Sequence, residues 1–124
     1  MRVAGRKKLS DCVVATGVPH LGRGNHGRYL VQLANVMGEV AGVRRFGAAS
    51  IDLAYLAAGQ LDGYWEEGLA AWDMAAGIVL VREAGGFVYD MDGQSKMLEK
   101  GSVMGGNEYI QKALSEVVSR PAPK

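Results

Sequence analysis

An aspartate near the start of an apolar segment is the first candidate for chemistry. Asp73 is the only acidic residue between Gly68 and Arg82. A carboxylate in such surroundings costs free energy unless a partner holds it. It can cap a helix and interact with the helix dipole. It can also bind a hard cation such as Mg²⁺, which takes one or two carboxylates together with phosphate oxygens. The residues alone leave both interpretations open.

A glutamate a few residues upstream is the second candidate. Residues 61–66 alternate in a strand pattern, which predicts Leu61 and Trp65 on one face and Tyr64 and Glu66 on an opposite, polar face. Glu66 ends that strand, so its carboxylate could reach the same crevice as Asp73. The alternative is an ordinary solvated glutamate at a strand end.

A glycine motif offers a competing site. Gly22–Gly27 reads Gly-x-Gly-x-x-Gly after a strand and before a helix, as in dinucleotide-binding proteins. Five residues separate the strand from the motif, however, and the next strand carries Arg44 and Arg45 in place of an acidic residue. Those arginines would suit a 2′-phosphate, so an NADP-binding module is kept as an alternative to a surface loop. His20 and His26 have no third partner at zinc-ligand spacing.

The elements that must position these residues alternate between strands and helices. Short apolar runs bounded by glycine and proline predict strands at 11–16, 43–46, 61–66, 87–89 and 102–104. Three- and four-residue spacing predicts helices at 27–40, with Leu30, Leu33 and Met37 on its apolar stripe, and at 50–58, with Ile51 and Tyr55 on its stripe. A third helix, 70–84, is apolar nearly all round and is expected to be buried on several sides. The last helix follows Asn107 as N-cap. The predicted fold is a layered α/β sandwich, a mixed sheet with flanking helices.

Composition narrows the classes of protein. A chain of 124 residues, 48% hydrophobic and 22% charged, is expected to form one globular domain over 1–124. Its net charge of +1 gives no electrostatic reason to bind nucleic acid or a membrane surface. The single cysteine, Cys12, lies in an apolar run and is predicted to be a core residue in a reducing compartment. With neither a signal-peptide stretch nor a membrane span in the sequence, we expect a cytoplasmic protein.

Several motifs together resemble the inositol monophosphatase family. The segment Trp72-Asp-Met-Ala-Ala-Gly77, followed by Glu83-Ala-Gly-Gly86, is similar to the second signature of that family. Further matching segments, in the family's order, are Ala15–Pro19, Arg44–Ser50, Asp52–Tyr55, Ala57–Gly59, Leu61–Tyr64 and Gly105–Asn107. The resemblance runs from about Arg6 to Leu114 and implies the second half of that family's fold.

The resemblance implies a role for each matching position. Asp73 would be a catalytic metal ligand that also contacts substrate, and the cofactor would be Mg²⁺. Glu66 would accept a hydrogen bond from a ring hydroxyl, and the backbone of Gly47, Ala48 and Ala49 would lie along the substrate. The implied enzyme is a phosphomonoesterase that hydrolyses inositol phosphate or a related sugar phosphate with metal-activated water.

One large part of the family pattern does not occur in this sequence. The first signature, Asp-Pro-x-Asp-Gly-Thr, and the upstream glutamate-bearing segment are missing, and they would supply most metal ligands. We therefore interpret the chain as a carboxy-terminal half, inactive alone, whose partner is the amino-terminal half in cis or in trans. Exposed apolar surface would also favour a homo-oligomer. The rival from another class is a binding or scaffold module that keeps the fold without catalysis.

Overall fold

The computed structural model describes residues 1–18 and 26–123. Its strands are β1 Val13–Thr16, β2 Gly42–Arg44, β3 Gly63–Glu66, β4 Phe87–Tyr89 and β5 Val103–Gly106. Its helices are α1 His26–Met37, α2 Ala49–Ala57, α3 Ala71–Glu83, α4 Met97–Lys100 and α5 Glu108–Val118, and a 3-10 turn spans Leu9–Asp11. Every strand and helix predicted from the sequence is present; the 3-10 turn and α4 were not predicted.

The five strands form one mixed sheet in the order β2-β1-β3-β5-β4. Strand β1 pairs in parallel with both β2 and β3, whereas β5 runs antiparallel to both β3 and β4. The helices flank this sheet, which confirms the predicted α/β architecture.

Apolar side chains cover both faces of the sheet. Ala15 and Tyr64 pack with residues of α2 and α3 such as Leu53 and Met74. Their neighbours in the strands, Val14 and Trp65, point to the opposite face and pack with residues of α1 and α5. Successive strand residues therefore enter two separate cores, as the period of two requires.

This arrangement corrects the prediction for residues 61–66. The side of β3 that carries Tyr64 was expected to be polar, but Tyr64 is fully buried against α2 and α3. Leu61 belongs to that same core and not to the face of Trp65. The error arose because Leu61 precedes the strand, which begins at Gly63, so alternation does not apply to it.

The predicted apolar stripes of the helices were also partly wrong. In α2, Ile51 and Tyr55 are exposed, and the buried face consists of Ala49, Asp52, Leu53, Leu56 and Ala57. In α1, Leu33 is half-buried as expected, but Leu30 and Met37 are exposed, and Tyr29, Gln32 and Val36 are buried. Gln32 is accommodated because its side chain accepts from Trp65 Nε1 at 3.1 Å and donates to Glu67 Oε1 at 2.8 Å.

Helix α3 is buried on one side only, contrary to the expectation from its composition. Met74, Ile78 and Val81 face the core, whereas Trp72 is 85% exposed and Val79 is 56% exposed. Together with Ile51 and Tyr55 of α2, these side chains leave two packed helices with apolar residues on their outer surfaces. No helix among residues 1–18 and 26–123 is long and apolar enough to cross a bilayer.

Polar side chains fix the ends of several segments. The predicted N-cap is confirmed, because Asn107 Oδ1 accepts from the N–H groups of Tyr109 and Ile110, both at 2.9 Å. Cys12 is fully buried as predicted, and burial raises the pKa of its thiol to about 11. The turn after β4 is organised by Asp90, whose carboxylate accepts the N–H groups of Asp92, Gln94 and Lys96.

Candidate functional site

The candidate residues occupy one end of the parallel part of the sheet. Glu66 is the last residue of β3, and Asp73 is the third residue of α3, the helix that follows. Residues 47 and 48 lie between β2 and α2, and Ala49 is the first residue of α2. Ligands of α/β proteins commonly bind outside the carboxyl ends of parallel strands, where helix N-termini also point.

Asp73 has a structural partner in its own helix. Its Oδ2 accepts the N–H of Ala70 at 3.0 Å, so the carboxylate covers the helix end just before the first turn of α3. Ala70 has no side-chain acceptor to return that bond, so only half of a capping box is present. The capping interpretation is confirmed, and it does not oppose metal binding because a carboxylate offers further lone pairs.

Glu66 is held by a neighbour on the same strand. The Tyr64 hydroxyl donates to Glu66 Oε1 at 2.5 Å, and the two side chains share a face because they are two residues apart. Thr16 of β1 pairs with Trp65, so Gly17 follows beside Glu66. An ideal Cβ on Gly17 would lie 2.0 Å from Glu66 Cδ, so the glutamate carboxylate occupies the space that any side chain at residue 17 would need.

A third carboxyl group, that of Asp52, is influenced by the charge of Glu66. Asp52 of α2 is fully buried, and neither of its oxygens has a hydrogen-bond partner among the described residues. Burial first, and then the charge of Glu66, raise the pKa of Asp52 to about 7.

The hydroxyl of Tyr64 is hydrogen-bonded to one of these acids, Glu66, and is affected by the charges of the others. Burial raises its pKa above the ordinary value, and so do the charge and hydrogen bond of Glu66 and the charges of Asp52 and Asp73. The structure therefore places Glu66 in direct contact with the buried Tyr64 hydroxyl. The charges of Asp52 and Asp73 also act on this phenol, although the three acids form no metal-binding group among the described residues.

The predicted backbone segment forms the start of α2. Gly47 has a φ of 87°, a left-handed conformation that favours glycine. Ala48 is the extended N-cap residue, with no side-chain hydrogen bond to the helix, and its carbonyl accepts from the N–H of Asp52 at 3.1 Å. Gly47 is exposed and Ala48 half-buried, so their backbone is open to close approach, whereas the side chain of Ala49 belongs to the core.

Sequence reasoning missed Tyr64, Gly17 and Asp52 as members of the site. Asp52 carried a detectable signal, since it is an acidic residue in an otherwise apolar helix, the same feature that singled out Asp73. Tyr64 and Gly17 gave no such signal because their roles depend on which strands pair and in what register.

The other candidates do not add ligands. Within residues 1–18 and 26–123, no group of three or more His, Cys, Asp and Glu side chains could hold a metal ion. His26 is exposed at the start of α1, whereas His20 and residues 22–25 of the glycine motif lie outside the described residues. Arg44, proposed for a 2′-phosphate, donates from Nη1 to the carbonyl of Val43 at 3.0 Å.

Sequence comparison identifies the family that shares these motifs. The profile described as the inositol monophosphatase family matches residues 1–121. The chain belongs to the inositol monophosphatase family. The resemblance found in the motifs is thereby confirmed, and the mixed sheet with flanking helices is the arrangement of the solved relatives.

Individual relatives carry two kinds of name. Inositol-1-monophosphatase of Rhizobium meliloti is 65% identical over 123 residues, which cover 99% of this chain and 46% of the relative. Nus factor SuhB of Pseudomonas aeruginosa is 46% identical, again over 99% of this chain and 46% of the relative. The chain thus spans about half the length of the curated relatives it matches.

Solved structures agree with the fold. Extragenic suppressor protein suhB from Bartonella henselae superposes with a TM-score of 0.93 at 54% identity, covering 96% of this chain and 45% of that one. Inositol monophosphatase from Anabaena gives a TM-score of 0.88 at 33% identity, covering 95% and 48%. This member of the family therefore shares the backbone of its relatives along nearly its whole length.

Proposed function

We propose that the chain is the carboxy-terminal part of a magnesium-dependent phosphomonoesterase that hydrolyses inositol phosphate or a related sugar phosphate. The observation that carries the proposal is the placement of Glu66 at the end of β3 and of Asp73 at the start of α3, both at the carboxyl end of the parallel strands. The Tyr64 hydroxyl holds Glu66 there. Relatives named inositol-1-monophosphatase support the same class of substrate.

In this proposal Glu66 recognises the sugar or cyclitol. A carboxylate fixed by Tyr64 can accept a hydrogen bond from a ring hydroxyl, which a substrate without that hydroxyl cannot offer. The backbone of Gly47, Ala48 and Ala49 would lie along the ring because no large side chain stands between them and a ligand.

Asp73 would be the contribution of this chain to a metal site. Its carboxylate lies at the start of α3 and is half-buried, and a hard cation accepts such an oxygen ligand. Bound magnesium would supply electrostatic stabilisation of the charge on the phosphate. One carboxylate fits a single ligand position and does not complete a site, in line with the lack of a three-ligand group among the described residues.

The remaining ligands would come from an amino-terminal half. The relatives are about twice as long as the matched region, and the sequence has no Asp-Pro-x-Asp-Gly-Thr segment. The outer surfaces of α2 and α3, with Ile51, Tyr55, Trp72 and Val79 exposed, are suited to packing against such a half.

A reconstitution assay tests this proposal. The chain alone is expected to release no phosphate from inositol 1-phosphate in the presence of magnesium. Fusion to the amino-terminal half of the Rhizobium meliloti relative is expected to give turnover that a chelator abolishes. The fusion carrying Asp73→Asn is the matched control and should lose most of it. Chelator-sensitive turnover by the chain alone would contradict the predicted dependence on a second half.

A non-catalytic binding module is the second candidate, because a relative 46% identical is named Nus factor SuhB. This alternative predicts that the same fusion folds, shows a cooperative melting transition and still releases no phosphate. The fusion assay therefore separates the two candidates directly.

A further inference from the structure

The orientation of Glu66 depends on a contact between two strands, with a residue to which the resemblance assigned no role. Gly17 follows β1 and is buried. An ideal Cβ at this residue would lie 2.0 Å from Glu66 Oε1 and 2.3 Å from Oε2, far inside van der Waals contact. Gly17 is not among the glycines with positive φ, so its backbone would accept alanine. A side chain at residue 17 would therefore displace the Glu66 carboxylate, which is the flexible end of its side chain.

The second contact comes from within β3. Tyr64 is fully buried, so water is not available to its hydroxyl, which donates to Glu66 Oε1 at 2.5 Å. Burial and the neighbouring acids raise the pKa of the phenol, so the group stays protonated and remains a donor at neutral pH. A buried hydroxyl without a partner is costly, which favours one position of the Glu66 carboxylate.

We propose that Gly17 and Tyr64 are specificity-determining residues that position the Glu66 carboxylate for a ring hydroxyl of the substrate. This inference rests on the proposed function and names the residues that make Glu66 selective. Gly17 leaves the space that the carboxylate fills, and Tyr64 fixes one of its oxygens. A fixed acceptor discriminates against a substrate without the hydroxyl far better than a mobile one, because a mobile carboxylate can turn to solvent.

The test compares two substrates in the fusion with an amino-terminal half. The measured quantity is the ratio of kcat/KM for inositol 1-phosphate to kcat/KM for phenyl phosphate, which has no ring hydroxyl. Gly17→Ala and Tyr64→Phe are each expected to lower this ratio by about tenfold to hundredfold. Gly5→Ala and Tyr109→Phe are matched controls: a Cβ on Gly5 meets nothing within 4 Å, and Tyr109 is exposed.

A double-mutant cycle separates positioning from general damage. Once Glu66→Gln has removed the selective acceptor, adding Gly17→Ala or Tyr64→Phe should change the ratio no further, whereas a merely structural effect would persist in the double variants. An unchanged ratio in Gly17→Ala and Tyr64→Phe, beside a lowered ratio in Glu66→Gln, would overturn the inference and leave the proposed function standing.

A spectroscopic measurement tests the positioning of Glu66 even if the fusion shows no turnover. The ¹³C signal of the Glu66 carboxyl carbon should shift in Gly17→Ala and in Tyr64→Phe but not in the two control variants. An unmoved signal would overturn the inference on structural grounds. If the signal shifts but the wild-type fusion is inactive, the contacts are real and the role in substrate selection fails together with the proposed function.

Discussion

Gly77 of α3 packs directly on Leu53 of α2. An ideal Cβ on Gly77 would lie 2.5 Å from Leu53 Cβ and 2.6 Å from Leu53 Cδ1. Leu53 is fully buried, so it cannot swing away as an exposed side chain would. The two helices that carry Asp52 and Asp73 therefore approach each other at a position where only glycine fits.

We predict that Gly77→Ala destabilises the fold. Alanine favours a helix over glycine by about 1 kcal/mol, but the overlap with Leu53 should outweigh that gain and cost about 1–3 kcal/mol. Urea unfolding of the chain measures the difference. Ala76→Gly, at an exposed neighbouring position, measures the difference in helix propensity between alanine and glycine without the overlap. A higher midpoint for Gly77→Ala would mean that the helices separate without cost.

Asp52 is expected to lower stability as the pH rises. Its folded-state pKa is about 7, above the ordinary value of 3.8, so the folded state binds the extra proton between these values. Stability is then unaffected by this group below about pH 4, falls between about pH 4 and pH 7, and stays lower above pH 7. The full cost is on the order of 4 kcal/mol. Relative to wild type, Asp52→Asn should gain stability at pH 8, with the gain disappearing near pH 4.

The contribution of Asp90 to folding stability should depend on pH in the opposite direction to that of Asp52. Burial alone would raise the pKa of Asp90, but three backbone N–H donors and Lys100 outweigh burial and lower it. Its contribution is therefore present above the ordinary pKa and lost as pH falls through the folded-state value. Asp90→Asn should cost stability at pH 8 and cost progressively less in acid. Parallel pH profiles for the two variants would contradict both assignments.

The outer surfaces of α2 and α3 should drive self-association of the chain alone. Trp72 and Val79 are 85% and 56% exposed, and exposed apolar surface of this kind favours association. Light scattering over a concentration series is expected to show a rising apparent mass, which Val79→Lys reduces. Leu30→Lys, at an exposed position of helix α1, is the control and should leave the mass unchanged. A monomer at high concentration would contradict this prediction.

The sequence predicted the elements better than the faces they bury. Strand and helix limits follow from glycine, proline and apolar runs, and β4 was placed at residues 87–89 as observed. The buried face of α2 could not be predicted because apolar residues occur on all sides of that helix, and the one acidic residue, Asp52, lies on the buried side. Periodicity indicates a direction only where the two faces differ.

For the site, the sequence predicted the acids but not their surroundings. Asp73 is conspicuous in an apolar segment and Glu66 ends a strand. The contact between Glu66 and Gly17 depends on the parallel register of β1 and β3, which arises from tertiary packing across 49 residues of chain. No local pattern contains that information.

Neutral substitutions of Asp73 and of Glu66 should lower turnover in different ways in the fusion with an amino-terminal half. Asp73→Asn is expected to weaken magnesium dependence and to lower turnover on every substrate by about a hundredfold or more, because a metal ligand acts on the phosphate common to all of them. Glu66→Gln should lower turnover by about tenfold to hundredfold only for substrates with the recognised hydroxyl.

The hydrogen bond from the Ala70 N–H to Asp73 requires a separate control for this comparison. Asn keeps an amide oxygen that can accept this bond but loses a charge at the helix N-terminus worth about 0.3–1 kcal/mol, so part of the effect of Asp73→Asn could be reduced folding. Asp73→Ser keeps a side-chain oxygen at the start of α3 but removes the carboxylate, and melting curves of both variants measure the folded fraction. If activity per folded molecule recovers in Asp73→Ser, the aspartate is a cap and not a ligand.

If Asp73→Asn and Glu66→Gln affect all substrates equally, the two acids share one role, because only a shared role makes the loss independent of the ring hydroxyl.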